Sequence, residues 1–448
     1  MGETQDMRTS AMMGALLGTL FLAAPAAAEV APATLEKLNT VVAADAPRLT
    51  AIFKDLHQHP EIAFTESRTA TIVAKELKAL GFEVTAGVGK TGVVGVLKNG
   101  PGKTLWFRAD MDSNAVRETT GVAWAATKPQ QLPDGTELWA MHACGHDAHV
   151  TWLLGLAKAM VALKSDWTGT LVVYAQPAEE VGLGAQAMVD DGMHKRGFPK
   201  ADFGLGSHTM PAAVGMVSNS PGVRMAGTDQ LDIKFTGKGG HGSAPELAID
   251  PVVMAAQAVM GYQTIISRST DPQKPAVLTV GSIDAGRDNN VIPATATLKA
   301  NIRWFDRDVR DMLIRRIDEV SNGVAMAAGA TDKPERTMKG TAGPLVNDKA
   351  LVDTVNPALV ALLGEGKVIN NFPSVMGSED FQELMNAAGT PYVFLLIGIA
   401  DPARVAEAQK AGRMFPFSNH NPDFLVDLAA IPLGARINTA AALSLLGK

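Results

Sequence analysis

The amino-acid sequence predicts an α/β protein: a mostly parallel sheet split by an inserted, smaller α/β unit of two layers, with the order β-α-β-β-α-β. Three observations predict it. Short apolar runs that read as strands alternate with helix-like stretches through the first half of the chain, as in a parallel sheet covered by helices. Near Val223 the pattern changes to strands grouped around two helices, and after Gly343 the first character returns. The expected organisation is an N-terminal leader over 1–28, a larger domain formed by 29–222 and 343–448, and an insertion over 223–342. With 448 residues, 46% apolar and 19% charged, the composition is that of a globular protein with a large core. The formal net charge is −6 and no long basic run occurs, which argues against nucleic acid or an anionic membrane as the main partner. The only cysteine is Cys144, so no intrachain disulfide forms.

The leader reads as an export signal. Met12 to Ala23 is an apolar run too short to span a bilayer, and Ala26-Ala27-Ala28 fits a cleavage site with Glu29 as the first mature residue. Glu3 and Asp6 spoil the positive region, whereas a start at Met7 places Arg8 before the apolar run; Met7 is the expected true start. With no cysteine at the cut, no lipid anchor is expected there. The expected location is periplasmic or secreted, without a membrane anchor after cleavage.

Taken in order, Ala33 to Gln58 reads as helical, with Pro47 expected to kink or split it. His57 and His59 precede Pro60; they are candidate ligands, though such histidines are more often surface loop. Glu66 to Leu80 is a helix ended by Gly81. Strands are expected at 82–84 and 92–97. The glycines at 87, 89 and 92 between them form a GxGxxG followed by a strand, so a turn is the better reading than a phosphate site. Further strands are expected at Leu105–Ala109, Thr170–Ala175 and Asp202–His208, the last short and ending in histidine. In the insertion, Gln230–Phe235, Ala276–Ile283, Ala294–Phe305 and Glu335–Lys339 read as strands. Asp250 caps a helix with Pro251 at its first position, and Asp308–Gly329 is a second helix. A second GxGxxG at 237–242 lies too far from that capped helix to grip a pyrophosphate. After the insertion come a helix at Ala350–Leu363, a helix at Asp380–Ala388, a strand at Pro391–Ile397, a charged and poorly patterned stretch at Asp401–Gly412, and a C-terminal helix at Ala429–Leu446.

The chemistry concentrates at 141–149, Met-His-Ala-Cys-Gly-His-Asp-Ala-His. A thiol and three imidazoles within nine residues suit a transition metal, and a following helix N-terminus favours a thiolate. The strands supply more candidates at their C-terminal ends: Asp110 and Asp112, the pair Glu179-Glu180, and His208. Ligands in parallel sheets bind beyond those ends. Pro177 breaks the strand before the acid pair, so both carboxylates can turn into one cleft. One could then hold a metal while the other takes a proton from water, as a metallohydrolase requires. His420, in the loop Ser418-Asn419-His420-Asn421-Pro422, is a further candidate.

Arg108-Ala109-Asp110-Met111-Asp112, the 141–149 motif and Gln176-Pro177-Ala178-Glu179-Glu180 resemble the M20 metallopeptidase family, in particular its amidohydrolase branch of hippurate hydrolases, N-acyl-amino-acid amidohydrolases and auxin-conjugate hydrolases. Gly240-His241, Asn290-Val291-Ile292-Pro293, Gly377-Ser378-Glu379-Asp380-Phe381 and His420-Asn421-Pro422 add to the resemblance. It implies a catalytic domain split by a lid that often also dimerises. It implies two divalent ions held by Cys144, His146, Glu180, His208 and His420, with Glu179 as general base and Asp112 supporting the site. It further implies that His241 and Asn290 bind a substrate carboxylate or stabilise the oxyanion, in some cases across a dimer. The substrates implied are N-acyl amino acids or dipeptides. The mixed sulfur, nitrogen and oxygen ligands suit zinc, manganese, cobalt or nickel. The sequence departs from the family's pattern at Ser113-Asn114-Ala115, where Ala-Leu-Pro is usual, and at Glu246, where a second histidine often stands. Two other readings are a cysteine hydrolase using Cys144 and a non-catalytic exported protein that binds peptides or metal on the same scaffold.

Overall fold

A computed structural model describes residues 30–448; the leader expected over 1–28 lies outside the described residues. The central feature is an eight-stranded sheet. Its strands run in the order Glu83–Val88, Gly92–Asn99, Gly169–Gln176, Thr104–Asp110, Phe203–Ala213, Tyr392–Ala400, Val217–Ser218, Val368–Ile369. The four strands from 169–176 to 392–400 are mutually parallel, while the 83–99 hairpin adds an antiparallel edge. The sheet is therefore mixed but mostly parallel, as the alternation of elements requires. Thr104–Asp110 is buried at every position, which is why it reads as a continuous apolar run rather than an alternating one.

One face of the sheet is covered by the helices Pro32–Gln58, His146–Ala162, Lys349–Leu363 and Ala430–Leu446. They share one apolar core with the inner strands, including Leu49, Phe53, Trp152, Leu171, Leu395 and Ile437. His146–Ala162 is buried almost all round, so it lacks the striped pattern of a surface helix. Trp152 Nε1 donates to Ala430 O at 3.1 Å where this helix meets the C-terminal one.

The insertion has its own four-stranded sheet, ordered Ala276–Ala285, Thr295–Trp304, Gly227–Thr236, Glu335–Ala342, with every pair antiparallel. Pro251–Thr264 and Arg307–Ala327 cover one face around a separate core that includes Leu231, Ile233, Phe235, Leu298 and Leu313. A small hairpin, Gly240–His241 against Val291–Ile292, extends from it.

Three local expectations are corrected. The first helix is not split at Pro47 but continues to Gln58; both Pro47 and Ala43, whose carbonyl loses its partner, are exposed, so that carbonyl is open to solvent. The charged stretch after Asp401 contains a helix, Pro402–Lys410, capped by Asp401 accepting from Ala403 N at 2.7 Å; Asp-Pro at N-cap and N1 was the overlooked signal. The strand expected to end at His208 continues to Ala213, because it pairs with Tyr392–Ala400 along that whole length.

Candidate metal centre

The centre is assembled where three parallel strands lose their neighbours. Asp110 is the last residue of its strand, opposite Gln176. On the other side the pairing stops at Arg108 and Gly206, so His208, two residues further on, projects past the shorter strand. Cys144 precedes the helix that begins at His146. Between them Gly145 takes φ 84°, and a Cβ there would stand 2.6 Å from Thr209 Cγ2, so only glycine brings this turn against the strand. Thr209 Oγ1 donates to Cys144 O at 2.7 Å. Thr209 N donates to His149 Nε2 at 2.8 Å. The ring proton of His149 is therefore on Nδ1, 2.5 Å from Asp110 Oδ1.

The acid pair is aimed by a second carboxylate. Asp112 Oδ1 accepts from Glu179 N at 3.1 Å and Oδ2 from Glu180 N at 3.0 Å. Ala178 lies in the left-handed region at φ 51°, with its N–H held by Glu66 Oε1 at 2.9 Å. The turn closes against Gly184, where a Cβ would sit 1.6 Å from Pro177 O. Consecutive side chains that would diverge on a strand are thereby turned to one side. His420 arrives on a loop pinned by its N–H to Ala143 O at 2.8 Å, and its Nε2 lies 3.2 Å from Glu180 Oε2.

The structure brings six of the predicted residues together. Cys144, His146 and His208 form one group, Cys144, Glu180 and His420 another, and His146, Glu179 and Glu180 a third, each with its donor atoms within 4.8 Å of one another. Among the described residues the buried His146 makes no hydrogen bond through either ring nitrogen, nor does Glu180 Oε1. Asp112 Oδ1 is nonetheless only 3.3 Å from His146 Nδ1. Unpaired buried polar atoms are costly, and cations shared among these groups would satisfy them. The sulfur, nitrogen and oxygen donors fit divalent transition metals.

The electrostatics separates the two acids. Burial, then the charges of Glu379, Glu180 and Asp380, push Glu179 well above the usual carboxylate range. Glu180 is also raised by burial, but His420 and His146 outweigh this and bring it down to about 2. Burial and Glu180 raise the Cys144 thiol, yet His208 and His146 lower it to about 5.

Behind the centre lies a buried network that local sequence patterns do not reveal. Arg108 donates to Asp110 Oδ2 at 2.7 Å, to Glu379 Oε1 at 2.8 Å and to Gln176 Oε1 at 3.1 Å. Gln176 in turn donates to Asp380 Oδ1 at 2.5 Å. Glu66, fully buried, is likewise absent from the sequence-based candidates.

A cavity of about 410 Å³ opens over the centre. Cys144, Glu179, Glu180, His208 and His420 line it on one side, Arg303, Thr228 and Gln230 of the insertion face them, and Phe372, Val375, Leu396 and Phe415 make an apolar wall. His241 and Asn290 do not line it. They lie together on the exposed hairpin, with Gly242 N donating to Asn290 O at 2.8 Å. Neither His57 nor His59 joins a ligand group among the described residues. His57 is buried between Asp147, at 2.6 Å, and Glu118, at 3.2 Å. His59 is exposed and bonds Asp55 O at 2.8 Å.

Residues 106–413 match peptidase family M20/M25/M40. The chain is 37% identical to the hippurate hydrolase of Campylobacter jejuni, over 76% of this chain and 85% of that one. It is 34% identical to the N-acetyl-L-cysteine deacetylase of Bacillus subtilis, over 75% and 76% of the two chains. The fold superposes on the crystal structure of a dinuclear metal-binding M20 peptidase from Bacillus subtilis with a TM-score of 0.71 and 26% identity, covering 90% of this chain and 99% of that one. The chain thus belongs to peptidase family M20 and is a hydrolase of that family.

Proposed function

We propose that this protein is an exported amidohydrolase that cleaves the amide bond of N-acyl amino acids or dipeptide-like substrates, using two divalent cations held by Cys144, His146, Glu180, His208 and His420. The observation that carries the reading is the convergence of these five side chains with Glu179, around a buried His146 whose ring nitrogens have no hydrogen-bond partner among the described residues. The printed activities of the hippurate hydrolase and the deacetylase support the substrate class. The apolar run and the alanines before Glu29 support export. Zinc, manganese, cobalt or nickel would suit the donor set.

Bound divalent cations supply Lewis acidity, which lowers the pKa of a water towards about 7 and polarises a carbonyl. The remaining steps fall to the chain. Glu179, held by its backbone to Asp112, takes a proton from the attacking water and passes it to the leaving nitrogen. Asp112 fixes the backbone from which both acids turn into the site. Arg303 offers a cation at the cavity rim for a substrate carboxylate, and the wall around Phe372 and Leu396 offers an apolar seat for an acyl group or side chain. His241 and Asn290 would reach the substrate from the inserted lid, by closure or from a second subunit docked through that unit, and would stabilise the oxyanion or the carboxylate.

The contact of Cys144 Sγ with His208 Nε2 at 3.3 Å favours one second reading, a cysteine hydrolase. A hydrolysis screen of N-acyl amino acids and dipeptides on metal-reconstituted protein, with elemental analysis of the same sample, tests both. Turnover with about two metals per chain is expected. Turnover by metal-free protein would favour the thiol, and bound metal without turnover would favour a binding protein.

A further inference from the structure

Asn419 stands immediately before His420 in the loop that reaches the centre from the C-terminal part of the chain. Its Nδ2 donates to Cys144 Sγ at 3.3 Å. The backbone explains how two consecutive residues serve one site. His420 adopts φ 64°, so the two side chains do not diverge as they would on an extended strand. His420 Nε2 reaches Glu180 Oε2 at 3.2 Å, while the neighbouring amide reaches the sulfur.

Cys144 is buried and is the chain's only thiol. The other groups gathered at the sulfur are imidazoles: His208 Nε2 at 3.3 Å, with His146 and His420 beside it. If those three imidazoles are taken by cations, as the ligand set proposed above requires, Asn419 is left as the side-chain donor to sulfur. An uncharged amide N–H aimed at a thiolate withdraws electron density from it and fixes the direction of its lone pairs. Such hydrogen bonds to ligand atoms set both the strength and the electronic character of a metal site.

We infer that Asn419 is a positioning residue for the Cys144 thiolate, orienting the sulfur and moderating its donation to the bound cation. This rests on the metal reading proposed above. The test uses the full chain loaded with Co(II) alone, followed through its thiolate-to-cobalt charge-transfer absorption and a competition titration against a chelating dye. Asn419→Leu keeps the approximate shape without the donor, and Asn419→Ala is a second variant should the first fail to fold. In each folded variant the band is expected to move to longer wavelength, since the sulfur lone pairs are no longer stabilised, and Co(II) affinity to fall about tenfold. A wild-type band that a folded variant leaves in place, with unchanged affinity, overturns the role of Asn419 alone. A wild-type protein with no thiolate band overturns the metal reading, and this role with it.

Discussion

The strand-end centre and the hairpin of the insertion are built in opposite ways. Around the centre, candidate groups are held by bonds from behind: His149 between Asp110 and Thr209, the acid pair by both oxygens of Asp112, and the His420 loop by Ala143 O. The hairpin carrying His241 and Asn290 is exposed, and among the described residues the Nδ1 of His241 has only the neighbouring Ser243 as partner. The contrast assigns rigidity to the place where a proton must move over a short distance. It leaves freedom where a substrate must enter and be covered.

If the fixed half does the chemistry, breaking it has the largest effects. Treatment with EDTA is expected to abolish turnover, and added divalent metal to restore it; a rate untouched by chelation would point to the thiol instead. Glu179→Gln should retain its metal by elemental analysis and lose turnover by at least about a hundredfold; retained activity would remove Glu179 from the role of base. On the exposed half, His241→Ala should cost about a hundredfold in turnover, as for an oxyanion donor, with metal content unchanged. Mixing this variant with Glu179→Gln sharpens the comparison: recovered activity would show that the hairpin serves a partner subunit, and none that it closes over its own. Asp112→Asn replaces one of two acceptors with a donor, so metal affinity should fall about tenfold, read by the same dye titration.

The smallest expected effect lies outside both regions. Burial disfavours the His57 imidazolium, but Asp147 and Glu118 more than compensate, raising its pKa from 6.5 to about 10. A pKa raised by folding adds stability that is fully present below the unfolded value and is lost as the pH climbs through the folded one. The unfolding midpoint of the wild type should therefore exceed that of His57→Gln most clearly near pH 6, with the gap closing towards about pH 10. A gap that widens with pH would contradict the assignment.

The sequence was informative where the controlling interactions are local. The cysteine-histidine run, the Asp-Pro cap at 250–251 and the strand alternation at 231–235 each carry their signal within a few residues, and the observed helices His146–Ala162 and Pro251–Thr264 and the strand Gly227–Thr236 are the elements they imply. It was silent where partners are distant. Arg108 meets Glu379 across 271 positions, and Glu66 meets Ala178 across 112; no periodicity announces such pairs. His57 shows the converse error. A histidine near a proline suggested a ligand or an exposed loop, and the chain instead buries it between two carboxylates 61 and 90 positions away. For His208 the neighbouring pattern was right but the strand end was misplaced, because the pairing that extends it comes from Tyr392–Ala400.

The central claim is that one pocket holds a pair of cations. Anomalous X-ray diffraction from crystals of manganese- or cobalt-loaded protein tests it most directly. The account predicts two peaks about 3.5–4 Å apart, bounded by Cys144, His146, Glu180, His208 and His420, with Glu179 beside them and bound to neither. Peaks elsewhere, or none at these side chains in protein that turns over substrate, would contradict it.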